Sequence, residues 1–161
     1  MTKSFLAALM LTLSGQALSA DMWNEYQTLA VHINEKVENK GTFSDIKIKA
    51  ENLTRLSTKL LPAFVAKQPV CKDYIQAAID ASETMLNISL EKIESDYHAD
   101  GKLPPMKQAV CYHAKDLLVH PATVAVIAGT LPDNAKTREQ LHHEIEEVLE
   151  HFNEVKRNAG M

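Results

Sequence analysis

The sequence predicts an all-α fold, an up-and-down bundle of four main helices, and three observations carry that reading. Apolar residues recur at alternating three- and four-residue steps through most of the chain, the period of a helix with one buried face. Only five of the 161 residues are glycine and 6% are aromatic, too few for the turns and strands of a sandwich or barrel. No internal repeat, low-complexity tract or Ser/Gly linker divides residues 21–161, so one helical-bundle domain with short connections between antiparallel neighbours is expected.

Residues 1–20 read as a signal peptide. Lys3 supplies a positive start, Phe5 to Leu13 an apolar core, and Ala17-Leu18-Ser19-Ala20 a small-residue exit, with cleavage after Ser19 or Ala20. The apolar stretch is shorter than the roughly 20 residues of a spanning helix, so no stable membrane insertion is expected after cleavage. Roughly 140 residues remain, the usual size of one domain.

Helix 1 follows from Trp23, Tyr26, Ala30, Ile33 and Val37, with Asp21 as its N-cap and Gly41 as its stop. Helix 2 starts at Ser44 and turns Ile46, Ala50, Leu53, Leu60 and Phe64 inward. Pro62 should kink or end it near Leu61, because proline lacks the donor a helix interior uses. Helix 3 runs unbroken from Cys71 to Tyr97 with Ile75, Ala78, Ser82, Met85, Leu86, Ser89 and Ile93 inward. Asp100-Gly101 and Pro104-Pro105 then force a loop. Helix 4 starts near Met106 with Val110, Ala114, Leu117 and Leu118 inward. Pro121 should kink it at His120 and set off a short fifth segment closed by Gly129. The last helix opens on Thr137-Arg138-Glu139-Gln140 as a capping box and buries Leu141, Ile145, Val148, Leu149, Phe152 and Val155.

An exported chain with two cysteines is expected to pair them, so Cys71 and Cys111 form one disulfide. Closing so long a loop stabilises by roughly 4 kcal/mol. A straight helix 3 would carry its end about 39 Å from Cys71, while Cys111 lies early in helix 4. The bridge therefore requires helix 3 to bend or begin late, or the loop over residues 100–105 to run back along the bundle.

Composition excludes several functions. Asp and Glu outnumber Lys and Arg by 21 to 17, a formal charge of −4, and the basic residues form no stripe. Nucleic acid is therefore not expected as a partner. The sequence has no Cys-x-x-Cys-His for covalent haem, no Cys-x-x-Cys redox pair, no Gly-x-Ser-x-Gly and no phosphate-binding glycine loop. No enzymatic activity is expected. Asn52-Leu53-Thr54 and Asn87-Ile88-Ser89 match the glycosylation pattern but fall in expected helices, and no role is assigned to them.

All seven histidines lie beyond the signal peptide. Met106, His113 and His120 repeat every seven residues along one edge of helix 4, while His142 and His151 flank the apolar stripe of the last helix. Bundles build metal and haem sites from inward residues on facing helices, so Met106, His113, His120, His142 and His151 are the candidate ligands, for copper, zinc or haem b. His143 with Glu147 and Glu147 with His151 are ligand pairs that helical spacing allows. The opposing reading is that histidines beside an apolar stripe lay the ring on the core and a nitrogen in water. Tyr97, His98 and Tyr112 form a candidate polar patch where helices 3 and 4 meet, against the simpler reading of a capped helix end.

The leading expectation is an exported, periplasmic, non-enzymatic helical protein that binds an envelope protein or a small ligand. The alternative is a transition-metal or b-type haem carrier using the inward histidines. Seven histidines on an acidic chain also allow a pH-responsive envelope stress role, as the weaker alternative. The plan resembles exported four-helix cytochromes in architecture alone, and architecture does not establish function.

Overall fold

The computed structural model describes residues 11–158. Those residues hold seven α-helices: α1 (Leu11–Glu38), α2 (Phe43–Lys67), α3 (Lys72–Asp80), α4 (Ser82–Met85), α5 (Leu90–Ile93), α6 (Ala109–Thr130) and α7 (Ala135–Asn158). A 3-10 turn spans Pro69–Cys71 and a π-helical turn spans Glu94–His98. No strand occurs among the described residues. Residues 1–10, half of the expected signal peptide, lie outside this range.

α6 is the axis of the bundle. Every residue from Ala114 to Ala128 is buried, as a helix apolar on all sides must be. α2 and α7 pack on it, α1 packs on α2 and α7, and α3 to α5 cover its remaining side. The expected stripes meet there. Trp23, Tyr26, Ala30, Ile33 and Val37 of α1 are buried, as are Ile46, Ala50, Leu53, Leu60 and Phe64 of α2. From α7, Leu141, Ile145, Val148, Phe152 and Val155 are buried too, and Phe152 stacks on Tyr26 at 5.5 Å between ring centroids. No described helix is long and apolar enough to cross a membrane.

Helix boundaries moved where side chains outcompeted periodicity. α1 passes through Asp21, so that residue does not cap it. α1 ends at Glu38, and Gly41 N–H returns 2.7 Å to Lys36 O, with Lys40 rather than the glycine in the left-handed region at φ 55°. Thr42 caps α2 by accepting from Asp45 N. α7 begins before the expected Thr137 box, because Asn134 Oδ1 accepts from Thr137 N at 3.0 Å and caps the helix first. α6 begins at Ala109 rather than Met106.

Helix 3 is not one rod. It breaks after Asp80 and again after Met85. Asn87 Nδ2 donates 2.7 Å to Glu83 O, taking a carbonyl the helix would otherwise use. Ser89 adopts extended backbone and opens α5. Short polar side chains that bond their own backbone compete with the helical ladder in this way. The bends bring the chain back, and Cys71 and Cys111 form the expected disulfide with a Cα–Cα distance of 5.2 Å.

Neither proline ends its helix. Pro62 is exposed within a continuous α2, where water can serve the carbonyl it frees. Pro121 is buried, yet α6 runs through it to Thr130, so no separate fifth segment is set off at His120. The carbonyl deprived of its donor is Leu117 O, four residues back. Two side chains from other helices replace that donor: Tyr26 Oη at 2.7 Å and Ser57 Oγ at 2.5 Å.

Candidate metal centre

Three elements each present a stripe at helical spacing. α6 supplies Tyr112, Asp116 and His120, with His113 and Lys115 alongside. α7 supplies Glu144, Glu147 and His151. The π-turn supplies Glu94 and His98. Their polar atoms meet between α6, α7 and the turn, one layer above the apolar core.

Asp116 and Lys115 are fully buried, and His120 and His151 nearly so. One nitrogen each of His98 and His120 and one oxygen of Asp116 lie within 4.8 Å of one another, and the same holds for His120, Glu147 and His151. Two donors about 2.1 Å from a shared tetrahedral ion stand about 3.4 Å apart. His151 Nε2 is 3.5 Å from Asp116 Oδ2 and 3.4 Å from Glu147 Oε2.

Each of the three histidines is also held from behind. His120 Nδ1 meets Glu144 Oε2 at 2.7 Å, His98 Nδ1 meets Glu94 Oε1 at 3.1 Å, and His151 Nδ1 meets His113 Nδ1 at 2.8 Å. That leaves Nε2 as the inward nitrogen on all three. An outer partner on the second ring nitrogen is what fixes the tautomer of a metal-binding histidine. A neutral His151 with a free Nε2 carries its proton on Nδ1 and donates to His113. Three of the inward atoms, both Asp116 oxygens and His120 Nε2, are buried without a hydrogen bond, while His98 Nε2 has the Tyr112 hydroxyl 3.5 Å away. Lys115 Nζ stands 3.1 Å from Asp116 Oδ1, close enough to balance charge but outside hydrogen-bond geometry.

Titration follows burial. Desolvation pushes the His151 imidazole down to about 3, with the neighbouring histidines adding to the effect, so it is neutral and able to coordinate at neutral pH. Burial pushes the Asp116 carboxyl above the usual carboxylate range, against the pull of Lys115 and His120. Burial, then the Asp116 charge, pushes the Tyr112 phenol up to about 12, so it stays a hydroxyl 3.5 Å from His98 Nε2.

Comparison with known protein families, curated proteins and solved structures finds no match to this chain.

Of the sequence candidates, the fold brings His113, His120 and His151 together with His98 and Tyr112 of the expected polar patch. Tyr97 contributes its backbone carbonyl, which accepts from Lys115 at 3.1 Å. Two candidates lie elsewhere. His142 is half-buried and pairs with Glu146 and Glu38 at the surface, because it sits nine residues from His151 on the flank of α7. Met106 precedes α6 and is 44% exposed, so no thioether joins the centre. His143 faces solvent beside Glu147.

Haem fits poorly. A macrocycle needs an open apolar slot, and here the rings of His120 pack 5.1 Å from His98 and 5.2 Å from His151 among carboxylates.

Sequence reasoning missed Asp116, Lys115 and Glu144. A signal for the first two was present: Lys115-Asp116 is a charged pair inside the most apolar helix of the chain. Charges are almost never fully buried without a partner or a ligand.

Proposed function

We propose that the chain is an exported, non-enzymatic helical bundle that binds a divalent transition-metal ion through His98, His120, His151, Asp116 and Glu147. The observation that carries the reading is the set of three inward Nε2 atoms, each histidine anchored through Nδ1, around a buried carboxylate whose oxygens take no well-formed hydrogen bond. The donors are imidazole and carboxylate without thiolate or thioether, a set suited to zinc or copper(II) and unsuited to copper(I). His98 and Glu147, about a third exposed, form the side from which an ion would arrive. Export rests on the composition of residues 1–20, and a disulfide suits an oxidising compartment. Protein-partner binding has weaker support, since the most exposed large apolar residues, Val31, Ile48 and Met106, lie on α1, on α2 and in the loop ahead of α6.

The test is elemental analysis of tag-free chain prepared without chelator, followed by titration with zinc and copper(II). Uptake of one equivalent, abolished by His120→Ala and retained by His142→Ala, is the expected result. A chain that takes up neither ion, or an H120A variant that binds as tightly as wild type, overturns the assignment.

A further inference from the structure

This inference rests on the metal reading and names a residue that the centre depends on without touching the ion. We propose that Lys115 is a positioning residue: its ammonium ties the π-turn carrying His98 to the face of α6 carrying Asp116 and His120, and so holds ligands from two elements in register.

Lys115 is fully buried, a placement that costs heavily unless every proton of the ammonium is used. All three are. Nζ donates to Tyr97 O at 3.1 Å, to His98 O at 2.9 Å and to Asp100 Oδ1 at 3.2 Å. The first two acceptors are carbonyls at the end of the π-turn. Backbone donors there run to Glu94, Ser95 and Asp96, which leaves Tyr97 and His98 with the orphan carbonyls of any helix terminus. A helix can cap such carbonyls locally; here a cation from a different helix does it.

The third acceptor is itself fixed. Asp100 holds the left-handed region at φ 61°, and Tyr74 Oη donates to the same Oδ1 at 2.6 Å. Tyr74 lies one turn after Cys71, which is bonded to Cys111 at the start of α6. The Nζ also sits 4.2 Å from the centre of the Tyr112 ring. With its protons aimed in this way, Lys115 stands 3.1 Å from Asp116 Oδ1, close enough to balance its charge but outside hydrogen-bond geometry. One ammonium thus fixes the backbone of one ligand and stands against the carboxylate of a second.

The sign of the effect on metal affinity distinguishes this role from simple electrostatics. Coulomb repulsion alone predicts that removing a cation beside the ion tightens binding. Loss of positioning predicts the reverse, at the ten- to hundred-fold scale typical of outer groups at metal centres. The experiment is a double-mutant cycle on zinc affinity in the oxidised full chain, using His98→Ala, Lys115→Met and the two combined. Each single change is expected to weaken zinc binding about ten-fold or more, and the double variant is expected to bind no worse than the weaker single, because without Lys115 the imidazole of His98 is already out of place. Unchanged or tighter binding by Lys115→Met overturns the proposal, as does a double variant whose loss is the product of the two. Should Lys115→Met not fold, Asp100→Asn replaces it in the same cycle, since Asn tolerates the left-handed backbone and removes the charge that anchors the ammonium. Wild-type chain that binds no zinc or copper(II) overturns the metal reading and this one with it. Wild-type binding lost in His98→Ala but kept in both Lys115→Met and Asp100→Asn overturns this one alone.

Discussion

Pro121 makes a quantitative prediction about the core. Its ring removes the helix donor for Leu117 O, and that carbonyl instead accepts from Tyr26 Oη at 2.7 Å and Ser57 Oγ at 2.5 Å. Both side chains are fully buried, so water does not replace them. Tyr26→Phe keeps the stacking on Phe152 and loses one hydrogen bond, a cost of about 1 kcal/mol. Ser57→Ala costs about the same or less, because its single proton is shared between Leu117 O and Leu53 O at 2.9 Å. Either change leaves the carbonyl one donor. Together they strand it, and a bare buried acceptor costs roughly 1–3 kcal/mol by itself. The double variant should therefore lose roughly 3–4 kcal/mol, about 1–2 kcal/mol beyond the sum of the singles.

Urea denaturation of the oxidised, metal-free chain measures all three. A further background makes the test specific: Pro121→Ala returns a backbone N–H to Leu117 O, so the excess loss should disappear there. Additive losses in the Pro121 background, or an excess that persists in the Pro121→Ala background, would refute the replacement of the helix donor by the two hydroxyls.

Three further predictions concern the staple, the histidines and the outer carboxylates. Breaking the Cys71–Cys111 bridge, which joins residues 40 apart in sequence, should cost roughly 4 kcal/mol. That corresponds to a fall of roughly 10 °C in Tm by calorimetry with and without reductant, and a loss under about 1 kcal/mol would mean the reduced chain keeps the constraint by other means. Acid should destabilise the metal-free chain: His151 titrates near 3 in the fold but near 6.5 when unfolded, so the unfolded state takes the proton first. The contribution is full above about pH 6.5 and is lost as pH falls, at up to about 1.4 kcal/mol per pH unit. Asp116, whose carboxyl is raised, acts in the opposite sense by taking its proton in the fold first. Denaturation of wild type and of His151→Gln at pH 7.5, 6 and 5 separates the two, and a wild-type chain that loses no more stability on acidification than the variant would contradict the neutral His151. Finally, Glu144→Gln should weaken zinc binding about 10- to 100-fold by loosening the His120 ring, whereas Glu146→Gln, beside the surface His142, should leave the titration curve unchanged.

The helical stripes were legible because burial follows period: each of the apolar positions read from α1 and α2 is in the core. The breaks were not, because they depend on partners distant in sequence or on competition within a few residues. Pro121 reads as an interruption until Tyr26 and Ser57 are known to reach Leu117 from 91 and 60 residues away. Asn87 and Ser89 read as helix until their own backbone bonds are counted. The centre divides in the same way. Histidine spacing drew attention to His113, His120 and His151, and the same spacing rule nominated His142, which only the rotation of α7 places on the surface. Asp116 belongs to no histidine or methionine spacing, and its full burial in the fold marks it.

Two polar clusters on α6 show why the second implies a ligand. At Leu117 the acceptor, its lost helix donor and the two replacement hydroxyls form a closed set, and nothing further is needed to explain them. At Asp116 and His120, on either side of it in the same helix, the balance fails. Of the seven buried side-chain atoms without a hydrogen bond among the described residues, three are the Asp116 oxygens and His120 Nε2; no other place gathers as many. Replacing buried charges with apolar groups of similar size is often neutral or stabilising, so stability alone gives no reason to keep two carboxylates, three imidazoles and an ammonium at the centre of a bundle. His151 Nε2 faces Asp116 Oδ2 at 3.5 Å and Glu147 Oε2 at 3.4 Å, a contact that a proton on Nε2 or a metal ion between the groups would relieve. A neutral His151 protonated on Nε2 would accept from His113 at Nδ1 and aim its one proton between two carboxylates, whereas an ion would serve both. Two compact donor triads, His98–Asp116–His120 and His120–Glu147–His151, share one imidazole here, and an ion held by them would answer the unsatisfied atoms that protein groups leave, which supports the proposal of a coordination site over a flaw in the core.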